Sequence, residues 1–200
     1  MRNYHEQLDK RMFDFELFYK DVARTMPSPA VIAEVGCAEG ASAIYLAETL
    51  LNMGKAFTFY MIDDLSYGRD LQLRTLMKNV GNANLGHLVE IIPLPSVEAA
   101  CRFPDVHFDF VFIDASHKFE WTKADISLWY QKVKVGGFLA GHDYNDLEGA
   151  EVKQAVNMMF PKTKVLINGM RQYPLEIIHT KKDLNVWKVR KSASLKPLSY

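Results

Sequence analysis

Hydrophobic and polar positions switch between two periods along this chain, and the switching predicts its elements. Over residues 5–25, Leu8, Met12, Phe15, Tyr19 and Val22 recur at spacings of four, three, four and three. That is the repeat of an amphipathic helix, and Pro27 and Pro29 end it. The apolar run Ala30-Val-Ile-Ala-Glu-Val35 reads as a strand and enters a turn bounded by Gly36 and Gly40. Ile44, Leu46, Ala47, Leu50 and Leu51 then form a helical stripe closed by Asn52 and Gly54. Residues 56–62 read as a second strand that ends in Asp63 and Asp64.

The alternation continues. Residues 69–79 are helical in pattern, 88–94 strand-like, 96–102 a short helix, and 108–113 a strand ending at Asp114. Ile126, Trp129 and Val133 share one face of a helix over 119–134, which Gly136-Gly137 breaks before Phe138-Leu-Ala140 starts another strand. Residues 149–159 look helical, and two β-rich segments, near 164–168 and 185–191, close the chain. Repeated helix–strand alternation predicts an α/β, doubly wound, mostly parallel seven-stranded sheet covered on both faces, a Rossmann-like architecture. The last two strands lack a crossover helix, so they are expected as an antiparallel edge hairpin.

Length and composition narrow the class. The 200 residues suit a single domain over 1–200, with 1–27 as an N-terminal helical extension. Hydrophobic residues at 48% and charged residues at 24% exclude a disordered chain. Twenty-four basic and twenty-four acidic residues cancel, which disfavours nucleic acid as the main substrate. The cancellation is uneven: residues 151–200 hold ten Lys+Arg against three Asp+Glu. That basic quarter is either a solvated face or an attractor for an anionic partner. Cys37 and Cys101 form no CxxC pattern, which fits a reducing interior. The charged N-terminus has no apolar signal region and no run of 18 apolar residues occurs, so a cytoplasmic protein without a membrane partner is expected.

In open α/β sheets the ligand lies beyond the carboxyl ends of the strands, where strand order reverses. Here those ends read Glu34-Val-Gly36-Cys-Ala-Glu-Gly40, Asp63-Asp64, Asp114-Ala-Ser-His117 and Gly141-His142-Asp143. The glycine spacing is GxxxG rather than the GxGxxG of dinucleotide folds, so the turn is either a ligand cradle or an ordinary strand-to-helix connection. Asp63 follows Gly40 by twenty-three residues, a place from which a carboxylate can accept both hydroxyls of a ribose. The alternative is a helix cap, to which Asp64 also contributes. Asp114, His117, His142 and Asp143 suit either a divalent cation such as Mg²⁺ or a general base. For each histidine alone, a structural hydrogen-bonding role is the competing reading.

Glu34-Val-Gly-Cys-Ala-Glu-Gly-Ala-Ser42 resembles the first motif of class I S-adenosylmethionine-dependent O-methyltransferases, the catechol O-methyltransferase type in particular. Ile113-Asp-Ala-Ser-His-Lys118 and Gly136-Gly-Phe-Leu-Ala-Gly-His-Asp-Tyr144 resemble a bacterial branch that includes sugar O-methyltransferases, and Val186-Trp-Lys-Val189 is similar to its last strand. The resemblance implies an O-methyltransferase acting on a hydroxyl of a small molecule or sugar. It implies that Glu34, Gly36 and Gly40 line the methionine end of S-adenosylmethionine, with Ser42 near its carboxylate. Asp63 would hold the ribose, Ser96 would neighbour the adenine, and Asp114 would border the cofactor while ligating a metal with His142 and Asp143. His117 would be the general base, with His142 and Lys118 as the other catalytic candidates. Two positions depart from the branch: Ser116 replaces a carboxylate, and His142-Asp143 replaces an acidic or amide pair. Tyr67, Trp121 and Tyr144 either shape the acceptor pocket or pack. A homodimer is a further expectation. The alternatives are a nicotinamide-dependent Rossmann oxidoreductase, against which the missing GxGxxG counts, and a non-catalytic cofactor-binding module.

Overall fold

The apolar runs of the chain become strands of one sheet because each is flanked by turn residues and packs apolar side chains against the helices. The computed structural model describes residues 1–8, 13–66, 68–146, 150–160, 165–167, 170–172, 175–180 and 185–193. Strands β1 (Ala30–Val35), β2 (Phe57–Ile62), β3 (Val89–Ile92), β4 (Phe108–Ile113) and β5 (Val133–Gly141) run parallel in the order β3-β2-β1-β4-β5. Strands β6 (Val165–Ile167) and β7 (Met170–Gln172) form a separate two-stranded ladder. Strand β8 (Leu175–Ile178) and strand β9 (Val186–Arg190) extend the main sheet antiparallel beyond β5, to seven strands in all.

Strand order reverses at β1, which lies between β2 and β4. The register pairs Val35 with both Ile62 and Ile113, and Ile113 with Gly141. Gly36, Asp63, Asp114 and His142 therefore follow one row of paired residues and share the carboxyl edge of the sheet.

The helices α1 (Glu16–Thr25), α2 (Ala41–Asn52), α3 (Arg69–Asn82), α4 (Ser96–Ala100), α5 (Phe119–Lys132) and α6 (Ala150–Met159) cover both faces. Strand side chains alternate between the two sides. On one side Ile32, Phe59, Met61, Phe110 and Phe112 meet residues of the N-terminal segment, α2 and α3. On the other, Ala33, Val35, Val111, Ile113 and Leu139 meet Ala99, Ile126, Trp129 and Val156. Among the described residues no helix is long and apolar enough to cross a membrane.

Three expectations change. The helix expected over 5–25 is a short 3-10 turn at Tyr4–Gln7 and a helix that starts only at Glu16; Met12 lies outside the described residues. Phe13 and Phe15 are both buried two positions apart, the repeat of extended chain rather than helix, and Phe15 packs on Phe112 at 4.8 Å between ring centroids. Gly136-Gly137 does not separate a helix from a strand. The strand already begins at Val133, and the glycines sit in an irregular stretch where the register shifts between Phe108 and Phe110. Gly136, at φ +89°, supplies the left-handed residue that such a bulge requires. The edge partner of β9 is Leu175–Ile178, not the segment near 164–168, which pairs with Met170–Gln172.

Candidate active site

Gly36 is a glycine because the chain leaves β1 against the neighbouring strand end. Its φ is +90°, and a Cβ there would stand 2.0 Å from the Asp114 carbonyl oxygen. Gly40 (φ +87°) turns the chain into α2, where a Cβ would meet Leu76 at 2.7 Å, and the N-cap of α2 carries no side-chain hydrogen bond. The backbone N–H groups of the first helical turn thus face the carboxyl edge without intrahelical acceptors. Asp63 ties this turn to β2: Oδ2 accepts from the Ala38 N–H at 2.7 Å and Oδ1 from the Leu65 N–H at 2.8 Å. Burial raises its pKa against the pull of those two donors. Ala38 and Leu65 both have positive φ without being glycine. The aspartates cap the turn before α3 rather than the helix, since Asp64 accepts from the Ser66 N–H and α3 begins after Gly68. Tyr67 lies outside the described residues.

Glu34, at the end of β1, is only 1% exposed. Ser42 donates to its Oε1 at 2.5 Å and Tyr19 of α1 donates to its Oε2 at 2.7 Å. Burial pushes its pKa up to about 7, although both hydroxyl donors act to lower it. Glu34 and Ser42 are thus bonded to each other beneath the turn, and α1 is tied to the same point. Ser96, at the start of α4, donates to Asp125 at 2.5 Å and accepts from Trp129 Nε1 at 2.9 Å. Burial pushes Asp125 up to about 6 against that hydroxyl.

The ends of β4 and β5 converge. His117 Nε2 stands 3.0 Å from Asp143 Oδ2 and 4.0 Å from Asp114 Oδ1. His142 Nδ1 stands 3.3 Å from Asp143 Oδ2 and 3.8 Å from Asp114 Oδ1. His117, His142, Asp114 and Asp143, expected together, are together. Lys118 is not with them: it is 74% exposed and pairs with Glu151 of α6 at 3.1 Å. Trp121 is exposed, and the Tyr144 hydroxyl donates to Asn157 at 2.9 Å.

The charges explain one another. Asp143 accepts from both imidazoles, which outweighs its burial and holds its carboxyl well below the usual range. The Asp143 hydrogen bond raises His117 despite partial burial. Burial alone would lower His142, but the Asp143 hydrogen bond and the charges of Asp114, Asp143 and Asp14 raise it to about 9. Burial lifts Asp114 to about 6 even beside two imidazoles. Asp143 also sits at φ +59°, a left-handed backbone that side-chain-bearing residues seldom adopt and that recurs at functional sites.

Two residues here escape sequence reasoning. Asp14, 4% exposed, accepts from His142 Nε2 at 2.9 Å across 128 positions of sequence. It sits in Phe13-Asp14-Phe15, a stretch that reads as helix, and carries no local signal. Trp187 of β9 lies against Gly141, where a Cβ would meet its ring at 2.6 Å. Its Nε1 is buried with no hydrogen-bond partner. Trp187, Asp114, His117, His142 and Asp143 line one small cavity of about 10 Å³, room for about one water or one ion.

The donor set fits a divalent cation. One ligand atom each of Asp114, His117 and Asp143 lies within 4.8 Å of the others, and His142 Nδ1 faces the same two carboxylates. Two carboxylates and an imidazole suit a hard or borderline divalent metal that keeps further positions for water or substrate.

Residues 33–144, more than half the chain, match a family model described as a methyltransferase domain. No curated protein matches the chain. Solved structures of similar fold include an rRNA methylase from Streptococcus thermophilus, with a TM-score of 0.64 at 13% identity over 88% of this chain and 95% of that one. Another is an S-adenosylmethionine-dependent O-methyltransferase from Thermotoga maritima, with a TM-score of 0.61 at 14% identity over 90% of this chain and 66% of that one. A third is a methyltransferase from Methanococcus maripaludis, with a TM-score of 0.59 at 15% identity over 90% of this chain and 86% of that one.

Proposed function

The chain belongs to the methyltransferase-domain family of S-adenosylmethionine-dependent enzymes, and we propose that it methylates a hydroxyl oxygen of a small molecule or sugar. Family membership sets aside the nicotinamide alternative. One observation carries the finer reading: a carboxylate–imidazole cluster at the ends of β4 and β5 adjoins the glycine turn and Asp63 on the same sheet edge. The first group suits handling a hydroxyl proton, and the second suits holding a nucleoside.

When bound, S-adenosylmethionine supplies a methyl carbon on a sulfonium, open to in-line attack. Asp63 would accept hydrogen bonds from the ribose hydroxyls with the lone pairs left by Ala38, Leu65 and Gln72. The N-terminus of α2, capped at Gly40 without a side chain, would hold the methionine carboxylate. Gly36, Glu34 and Ser42 shape the turn beneath it, and Ser96 would neighbour the adenine.

The two imidazoles divide the work by exposure. His117 is 48% exposed and can pass a proton to water, whereas His142 is 4% exposed and fixed on both sides. With Nε2–H donated to Asp143, Nδ1 of His117 is the ring nitrogen left to take the proton of the acceptor hydroxyl as the new oxygen–methyl bond forms and the sulfonium leaves as a thioether. The Asp143 hydrogen bond makes His117 a stronger base. Asp114, Asp143 and, once its proton is released, His142 Nδ1 would hold a Mg²⁺ or similar cation, which would lower the acceptor hydroxyl's pKa and orient it.

An RNA acceptor is the second reading, because proteins of similar fold include rRNA methylases. Described cations of the basic quarter argue for the first. Lys153 pairs with Asp146 and Lys188 with Glu176, while Arg190 and Lys191 donate to the carbonyls of Gly136 and Gln131. The test is calorimetry with S-adenosylmethionine, followed by transfer of a labelled methyl to a panel of phenols, sugars and a ribosomal RNA transcript. Label on a hydroxyl of a small acceptor is expected; label on RNA alone would overturn the reading.

A further inference from the structure

His142 is held from the side away from the reaction as firmly as from the side facing it. Its Nε2 lies 2.9 Å from Asp14 Oδ1, and its ring packs against Phe15 at 4.8 Å between centroids. Asp14 is held in turn, because Thr180, between β8 and β9, donates to its Oδ2 at 2.7 Å. The Thr180 loop is tied to the end of β5 through Asn185, whose carbonyl accepts from the Tyr144 N–H at 3.0 Å and whose side chain accepts from the Thr180 N–H at 3.4 Å. Phe15 is anchored in the aromatic cluster with Tyr19 and Phe112. Three separate parts of the chain thus fix one imidazole.

The two ring nitrogens of histidine are distinct, and the partner of one decides what the other presents. A carboxylate accepts and does not donate, so Asp14 keeps a proton on Nε2. Nδ1 is left as the atom turned toward Asp143 and Asp114, at 3.3 Å and 3.8 Å. We infer that Asp14 is a positioning residue: by accepting the Nε2–H of His142 it sets that ring so that Nδ1 faces the two carboxylates. For catalysis this rests on the function proposed above, in which those carboxylates and Nδ1 manage the acceptor hydroxyl. Asp14 bonds to His142 and to Thr180, and so acts through His142. The N-terminal segment is then part of the working site as well as of the core.

Three variants test this by turnover, cofactor affinity and the His142 proton signal. D14A removes the acceptor, D14N keeps an oxygen that accepts from Nε2–H, and T180A removes the hydroxyl that holds Asp14. Turnover should fall about 10–100-fold in D14A, the usual cost of losing such a support. It should recover largely in D14N and fall by less in T180A. The KM and Kd for S-adenosylmethionine should stay within about twofold, because positioning acts on the chemical step rather than on cofactor binding. In ¹⁵N-labelled wild-type protein the buried His142 Nε2 proton should exchange slowly, and D14A should lose or shift that signal. Wild-type turnover and an unchanged His142 signal in D14A would overturn the inference. So would loss of turnover matched by equal loss of cofactor binding, the mark of a merely structural role. If D14A fails to fold, D14N and T180A still carry the comparison. If no acceptor is ever methylated, the proposed function fails, yet the His142 signal still decides whether Asp14 sets the ring.

Discussion

Asp63 holds the backbone of Ala38, accepting its N–H at 2.7 Å across 25 positions of sequence. The carboxylate that ends β2 thus shapes the turn that ends β1, and a residue assigned to a ligand also builds the ligand's turn. Asp63→Ala should remove both functions. Hydrogen bonds to a charged group contribute about 1.5–3 kcal/mol each, so losing two should weaken S-adenosylmethionine binding by about 100-fold or more. Calorimetry reads this directly, and wild-type affinity in the variant would sink the ribose assignment.

His117 and Lys118 are neighbours in sequence but face different partners. His117 Nε2 meets Asp143 at 3.0 Å, whereas Lys118 Nζ meets Glu151 at 3.1 Å. His117→Ala should lower turnover by about 10²–10⁴-fold, the range for a general base. Lys118→Ala should leave turnover nearly unchanged. The opposite ranking in steady-state kinetics would move the base to Lys118.

The Asp114, Asp143 and imidazole donor set makes metal dependence testable in one assay. EDTA should reduce turnover to background, and added Mg²⁺ or Mn²⁺ should restore it. Asp114→Asn should not be restored at ordinary metal concentrations. Unchanged turnover in EDTA would remove Asp114, His142 and Asp143 as metal ligands.

Asp125 is buried on Ser96, and its carboxyl is lifted from 3.8 to about 6 by that burial. The folded state then binds a proton more tightly than the unfolded state. The associated stability is present in full below about pH 4 and is lost as pH rises through about 6. Asp125→Asn cannot ionise and keeps an oxygen for the Ser96 hydroxyl. It should therefore be more stable than wild type at about pH 7, by on the order of 1–3 kcal/mol, with the gap closing near pH 4. Urea unfolding at both pH values measures it; the same gap at both would refute the titration account.

Gly36→Ala places a methyl 2.0 Å from the Asp114 carbonyl at a φ of +90°. Backbone strain and overpacking together should cost about 2–5 kcal/mol. Urea unfolding should show the loss, and the displaced Asp114 should lower turnover among molecules that remain folded. Stability near wild type would mean that β1 and β4 can separate at this edge.

Much of this molecule was legible in one dimension, for local reasons. The apolar runs at 30–35 and 108–113 are strands because they are short, continuous and bounded by turn residues. Residues that end such strands necessarily meet at one edge of a parallel sheet. The pattern alone therefore puts Asp63, Asp114, His117, His142 and Asp143 at one edge of the sheet. Gly136-Gly137 reads as a break, yet tertiary pairing overrides it: β4 and β9 flank the stretch and carry it as a bulged strand.

What the sequence alone determined is thus the order of elements, the carboxyl-edge residues and the class of chemistry they suit, because periodicity and chain direction are local properties. The tertiary structure decided the partners. Glu34 is bonded to Tyr19 and Ser42, Lys118 is drawn away to Glu151, and His142 is fixed by Asp14. A hydrogen bond between residues 128 positions apart leaves no periodic trace in either segment. Only the packing of the N-terminal aromatics onto the sheet brings that carboxylate beneath the imidazole.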